Sequence, residues 1–491
     1  MRVTVLHRAM WLATVSIGVG LSVVISGCSQ IPAYQAPSTP LPADWNGLNK
    51  TELTHIALTP TPLSQASLNE AQWWHALSGD AQLYALIEEA RAHNADAQLA
   101  KIRLRQANAL LQQSQAARLP QLNGTLGLGR TQSSDQAYPQ DQGATFGNFS
   151  LGALLSYELD VWGKVEAAEQ SAQANVNASQ ADEKAVNLSV SAAVAKAYFN
   201  LQALNQNLLL AQQTIQSRTE TLDLRQTQLD YGSVTPLTVY QAQSELAAVQ
   251  IALHQLTEQR NLQWNALGVL VGRTPQALVN TPLDKTLQTQ NAQTFAMPSI
   301  PVGLPSELLQ RRPDIIAAEQ RLMAANANIG VARASLYPSI SLTGFLGLKS
   351  ESLSHVFDSN AGAWNASADV SAPIFDGGQR QAQVALTQAQ QQAQLVQYQQ
   401  TVRNAFKEVL DALVQIEGAQ QQLAAQQRQV EALKQTLVLA QTRFDGGYSS
   451  YLEVLDAQRS MFSAELTWVT MRLNDTAARV NLYKALGGSW L

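Results

Sequence analysis

Two kinds of periodicity alternate along this chain, and the alternation occurs twice. From Leu86 to Arg118 apolar residues recur at helical spacing until Pro120, and a like pattern runs from Leu308 to Leu336 until Pro338. Period-two segments follow each. In the first, Leu122, Gly124, Leu126 and Leu128 and then Leu151, Ala153, Leu155, Tyr157 and Leu159 share one face. In the second, Ile340, Leu342, Gly344, Leu346 and Leu348 alternate with Ser341, Thr343, Phe345 and Gly347; then Trp364, Ala366, Ala368, Val370, Ala372 and Ile374 alternate with Asn365, Ser367, Asp369 and Ser371. Each run is about 9–11 residues, the length a tilted strand needs to cross a bilayer. The strands are joined by loops rich in Gly, Ser, Asp and Asn, 130–147 and 349–361, longer than a hairpin turn requires.

After Gly163 and Gly378, Ala- and Gln-rich helix is predicted to about Tyr231 and to Asp445, with no Pro or Gly in the first run and only Gly418 in the second. At 1.5 Å per residue each is on the order of 100 Å long. Each ends in a turn, Asp230-Tyr231-Gly232-Ser233 and Asp445-Gly446-Gly447-Tyr448, and returns as a shorter helix, about Leu237–Gly268 and Leu452–Gly487. One opening and one returning helix, end to end, match one long helix. Each unit is therefore expected to be a long hairpin with strands at one end and a Gly turn at the other, with a waist where the half-helices meet.

The chain is also written twice residue by residue. A slide of 218 aligns Asp96, Arg103, Leu104, Ala107, Asn108, Pro120, Thr125 and Gly129 with Asp314, Arg321, Leu322, Ala325, Asn326, Pro338, Thr343 and Gly347. A slide of 215 aligns Gln226, Asp230, Gly232, Leu237, Val239, Ala242 and Gln243 with Gln441, Asp445, Gly447, Leu452, Val454, Ala457 and Gln458. Four strands per chain cannot close a membrane barrel, and an open edge in lipid leaves backbone groups unsatisfied. Three copies would give twelve strands; two would give a side-chain-filled barrel of eight. A soluble α+β protein with a small buried sheet is the competing reading.

Composition narrows the choice. Charged residues are 14% of the chain, well under the roughly 25% of ordinary soluble domains, and 58 glutamines supply the missing polarity. A mean hydropathy of -0.12 is too polar for a bundle of membrane helices. The net charge of -5 gives no electrostatic footprint for nucleic acid, and the single cysteine forms neither an internal disulfide nor a multi-thiolate metal site. The six histidines show no metal spacing, and no Gly-x-Ser-x-Gly, P-loop or usable Gly-x-Gly-x-x-Gly is present, so no enzyme chemistry is expected and no cofactor.

The N-terminus carries an address. Arg2 and Arg8 precede an apolar stretch, Ala9–Ile25, that leads into Ile25-Ser26-Gly27-Cys28. This ending resembles the lipobox of bacterial lipoproteins, which implies a lipid on Cys28 as the new N-terminus; Ser29 at the next position implies outer-membrane sorting. The Pro-, Thr- and Ser-rich stretch that follows reads as a tether.

Several segments resemble the TolC-like outer-membrane efflux proteins, in the lipoprotein branch called the NodT family. The resemblance rests on Trp73-Trp74, Ser156-Tyr157-Glu158-Leu159-Asp160-Val161-Trp162-Gly163, Gly303-Leu304-Pro305-Ser306-Glu307-Leu308-Leu309-Gln310-Arg311-Arg312-Pro313-Asp314, Pro373-Ile374-Phe375-Asp376-Gly377-Gly378 and Tyr451-Leu452-Glu453-Val454-Leu455-Asp456-Ala457-Gln458-Arg459. It implies an internally duplicated α+β membrane protein: a trimeric twelve-stranded β-barrel continuous with a long periplasmic α-helical barrel, plus a mixed equatorial domain. The expected division is a signal peptide at 1–27, a lipidated tether at 28–70, a first repeat at 71–271, an equatorial linker at 272–304 and a second repeat at 305–491.

The resemblance further implies the outer-membrane channel of a tripartite efflux system, fed by a periplasmic membrane-fusion adaptor and an inner-membrane pump of resistance-nodulation-division or major-facilitator type. The exit duct of a type I peptide or protein secretion system is the alternative. Carried over by motif, the periplasmic gate falls on Leu452, Asp456 and Arg459, spaced i, i+4, i+7 on one helical face, with Glu453 close by. Three copies of Asp456 around an axis would form a charged ring that favours cations and can pair with Arg459. The first repeat has Thr238, Gln241 and Ser244 in place of Glu453, Asp456 and Arg459, so only one hairpin is expected to carry the charges. The tips Gly232, Ser233, Gly446 and Gly447 are implied to meet the adaptor.

Overall fold

The computed structural model describes residues 29–37, 80–132, 134, 145–280 and 308–488. Cys28, the signal, Trp73-Trp74 and most of the 272–304 linker lie outside them. In chain order, α1 (Ala81–His93) and α2 (Ala95–Ala116) lead into β1 (Gln121–Gln132) and β2 (Thr145–Leu159), then α3 (Lys164–Asp230), α4 (Pro236–Leu270) and the short α5 (Pro275–Asn280). The pattern begins again with α6 (Leu308–Arg311), α7 (Pro313–Ala334), β3 (Ser339–Ser350), β4 (Gly362–Ser371), α8 (Gln379–Asp445) and α9 (Tyr451–Ala485). The two sets match in length: 22 residues in α2 and α7, 12 in β1 and β3, 67 in α3 and α8, and 35 in α4 and α9. Gly418 does not interrupt α8.

Several boundaries differ from the sequence pattern: the second opening helix, expected as Leu308–Leu336, is broken at Arg312 between α6 and α7, and β1 and β2 extend into the loop expected at 130–147. The first opening helix is not continuous from Leu86 to Arg118: Asn94 breaks it in an extended conformation, and its Oδ1 accepts from the amides of Asp96 (2.8 Å) and Ala97 (3.2 Å). The side chain offers the backbone a better bond than helix continuation would. The strand expected to reach Ile374 stops at Ser371, because Pro373 has no N–H for the ladder; Ile374 and Phe375 are left exposed.

The chain divides into two compact units. Among the described residues the first contains 29–37, 104–132, 134, 145–179 and 317–399, and with them the sheet. Its order is β1-β2-β3-β4, antiparallel throughout, so β1 and β4 each keep one unpaired edge. Register places Leu126, Leu151 and Leu348 in one row and Leu346 beside Trp364 in another; directly opposed residues share a face. On the other face lie Ser156, Thr343 and Ser367, with Thr343 Oγ1 2.6 Å from Ser367 Oγ. The apolar face is not buried: Leu122, Leu126, Leu128, Leu346, Trp364 and Val370 are 65–79% exposed. That excludes the small buried sheet of the soluble α+β reading.

Where β2 gives way to helix, Trp162 stacks on Tyr337 at 4.8 Å and its Nε1 donates to the Pro338 carbonyl at 2.7 Å, tying the two repeats together at their strand–helix joins. The segment 29–37 lies along α7, with Asn326 Nδ2 donating to the Pro32 carbonyl (2.8 Å) and the Tyr34 hydroxyl donating to Glu319 (3.3 Å).

Among the described residues the second unit contains 80–103, 180–280, 308–316 and 400–488. Its larger core joins α1, α3, α4, α8 and α9 through Ile87, Tyr198, Leu201, Leu267, Leu413 and Leu482. A smaller cluster brings Ala242 of α4 and Ala440 of α8 against Tyr451, Val454, Leu455 and Ala457 of α9. Alanine on these faces lets the helices approach closely, and the exposed glutamines satisfy the opposite faces without charge.

Candidate functional site at the hairpin tips

Both long helices end in the same way. Gly232 and Gly447 adopt φ of +68° and +75°, a left-handed conformation that costs glycine least. The amide of Ser233 donates to the Gln228 carbonyl and that of Gly232 to Leu229 (2.8 and 2.9 Å); Tyr448 donates to Arg443 and Gly447 to Phe444 at the same distances. These paired bonds cap the last free carbonyls of the helix and turn the chain. Ser233 and Gly446 are exposed, as are the rings of Tyr231 and Tyr448.

Leu452, Glu453, Asp456 and Arg459 all lie on the exposed side of α9, while Tyr451, Val454, Leu455, Ala457 and Gln458 face inward. Glu453 Oε2 is 3.9 Å from Arg443 Nε, an ion pair that spans the second turn. Arg459 does not pair with Asp456. Its Nε and Nη2 both donate to Oε1 of Glu245 on α4, the Nε bond at 2.7 Å. Glu245 holds the Arg459 guanidinium above its ordinary value, with a smaller pull from Asp456. Among the described residues Asp456 forms no ion pair.

The first hairpin therefore does bring an acid to this face, one residue beyond the position where the repeat shows Ser244. Sequence reasoning missed Glu245, although a signal was present: it interrupts the buried row Val239, Ala242, Glu245, Val249. An acid inside an apolar helical stripe needs a partner. Arg218 and Arg225 were missed for the same reason; they follow Ala211 at seven-residue spacing, and all three are buried.

Arg225 joins the hairpins closer to the tips. Its guanidinium lies over Phe444 (4.6 Å) and Tyr451 (5.1 Å), donates to Gln228 Oε1 at 2.7 Å and approaches Asp445 at 4.0 Å. Burial raises the Tyr451 hydroxyl above its ordinary value while Arg225 works against it. The arrangement is a charged, cross-hairpin latch over a small alanine-rich core, suited to holding two helical hairpins together reversibly. Among the described residues no group of three His, Cys, Asp or Glu is placed to hold a metal ion.

The sequence model of a family described as "Outer membrane efflux protein" matches residues 86–273 and 304–488. The cation efflux system protein CusC of Escherichia coli is 34% identical over 474 residues, covering 96% of this chain and 97% of that protein. The toluene efflux pump outer membrane protein TtgF of Pseudomonas putida is 33% identical over 477 residues, 96% of each chain. The crystal structure of the Campylobacter jejuni CmeC outer membrane channel superposes with a TM-score of 0.82 at 26% identity, covering 94% of this chain and 95% of that one.

Proposed function

The chain belongs to the outer membrane efflux protein family, and on that premise we propose that three copies share one twelve-stranded barrel and conduct solutes passively to the cell exterior as the outer-membrane channel of a tripartite efflux system. The observation that carries this is the sheet: four antiparallel strands with one exposed apolar face and unpaired edges on β1 and β4. Pairing β4 of one protomer with β1 of the next satisfies both edges at once and turns the apolar face to lipid. The Ser-, Thr- and Asn-rich face then lines a wet lumen.

The family is one of channels rather than enzymes. The relatives' names place them in efflux systems and pumps; in this reading the partners are a periplasmic membrane-fusion adaptor and an inner-membrane pump of resistance-nodulation-division or major-facilitator type. Cations and toluene appear in those names; low charge and abundant glutamine along the helices suit a duct that passes varied solutes. Gly232, Ser233, Gly446 and Gly447, flanked by exposed Tyr231 and Tyr448, are the adaptor-contacting tips. Leu452, Glu453, Asp456 and Arg459 form the periplasmic gate. A lipid on Cys28 anchors the mature chain, and no other cofactor is required. An exit duct for a peptide or protein secretion system would use the same barrel and would differ in its adaptor.

Cysteines placed in pairs along β1 and β4, for example at Gly124 and Ala366, test the shared barrel. Oxidation should give a heat-resistant covalent trimer on a denaturing gel. Bands no larger than a dimer at every pairing would overturn it. Single-channel recordings of the purified trimer in a planar bilayer then test conduction itself.

A further inference from the structure

Glu245 is a buried carboxylate, 5% exposed, yet the arginine that holds it is mostly in solvent: the Arg459 side chain is 59% exposed. If Arg459 alone neutralised Glu245, any movement of α9 away from α4 would strand a charge in the helix interface, and the gate would open only at great cost. A second arginine changes that. Arg218 lies on α3, 14 residues before Gly232, and Glu245 lies on α4, 13 residues after it, so the antiparallel hairpin brings them to one level about 20 Å from the turn. Arg218 is 6% exposed and its Nε has no hydrogen-bond partner.

A guanidinium carries five fixed donors, and burying one of them unmade is costly. The arrangement in this structure therefore leaves Arg218 under-satisfied while Glu245 gives its oxygen to Arg459. Burial pulls Arg218 below its ordinary value, and Glu245 pushes it back up from close by.

From this juxtaposition we propose that Glu245 is handed between two arginines: to Arg459 across the hairpins when the gate is closed, and to Arg218 within its own hairpin when Arg459 withdraws. Arg218 is then a positioning residue for gating. It never contacts solute; it lowers the cost of the open state by giving the buried carboxylate somewhere to go. The latch becomes two-sided, with one ion pair exchanged for another instead of one ion pair lost. The proposal rests on the reading of Leu452, Asp456 and Arg459 as the gate, and deepens it.

Single-channel recordings on the full-length trimer separate the two. Arg459→Ala and Glu245→Gln should each raise open probability several-fold; if neither does, the gate reading fails. With those responses in place, Arg218→Met should lower open probability several-fold below wild type, because Glu245 then has only Arg459. Arg218→Lys should restore much of it. In a Glu245→Gln background Arg218→Met should have no further effect, whereas a purely structural role for Arg218 would persist there. An Arg218→Met channel that matches wild type, that opens like Glu245→Gln, or that keeps its effect without Glu245 overturns the hand-over. Should Arg218→Met fail to assemble, Arg218→Gln and Arg218→Lys carry the same comparison.

Discussion

Arg312 donates from Nη1 to the main-chain oxygen of Ala485 at 2.8 Å. The first repeat makes the same join with a different side chain: Asn94, 218 residues earlier, donates from Nδ2 to the oxygen of Leu270 at 2.7 Å, 215 residues before Ala485. In both places a residue at the start of an opening helix caps the end of a returning one, which is how the half-helices meet at the waist. Arg312 is the heavier fastening, since it also pairs with Asp314 (2.7 Å) and Glu408 (2.8 Å). Burial pulls the Arg312 guanidinium down, but the two carboxylates outweigh it and hold it above its ordinary value.

Arg312→Ala should therefore cost about 1.5–3 kcal/mol, the range for hydrogen bonds to charged groups, while Asn94→Ala should cost only about 1 kcal/mol, as for a lost helix cap. Thermal unfolding of the detergent-solubilised trimer ranks them. Equal shifts would show that the two joins bear the same load.

Glycine at the tips and at the waist should respond differently. Gly232→Ala meets no atom within 4 Å and suffers only the backbone cost of φ +68°, about 1 kcal/mol. Gly272→Ala would drive its Cβ into the His93 carbonyl at φ +83°, so the backbone of the waist must move. We expect Gly232→Ala to yield normal trimer and Gly272→Ala to yield little, measured by gel migration of unheated membranes.

Removing the charges on the gate face should enlarge the conducting path. Asp456→Ala combined with Arg459→Ala is expected to raise single-channel conductance, because the exposed Asp456 charge and the bond from Arg459 to Glu245 are lost together. Unchanged conductance would sink the assignment of this face to the gate.

Glu465 on α9 is raised above the ordinary carboxylate value by burial, with Lys434 opposing. The folded state thus binds its proton more tightly than the unfolded one, so this group's contribution is full below the ordinary value of 4.5 and is lost as pH rises through the raised one. Glu465→Gln should raise the melting temperature at pH 7 and leave it unchanged near pH 4. An equal gain at both values would point to a cause other than ionisation.

Much of the architecture is legible in the sequence because its signals are local. Period two and period 3.6, Pro120 and Pro338, and the glycines at 232 and 447 act through the backbone of their own neighbourhood, and the 218- and 215-residue slides reveal the duplication before any coordinate. Four strands with one apolar face require further copies only if they meet lipid, where an edge cannot stay unpaired, and it was the exposure of that face in the structure that removed the soluble alternative. The tertiary structure decided what depends on distant partners. Asn94 breaks a helix because its amide can serve Leu270, and Arg459 turns from Asp456, three residues away, to Glu245, 214 residues away. An ion pair is chosen by burial and approach between helices, and neither quantity is written in one stretch of chain.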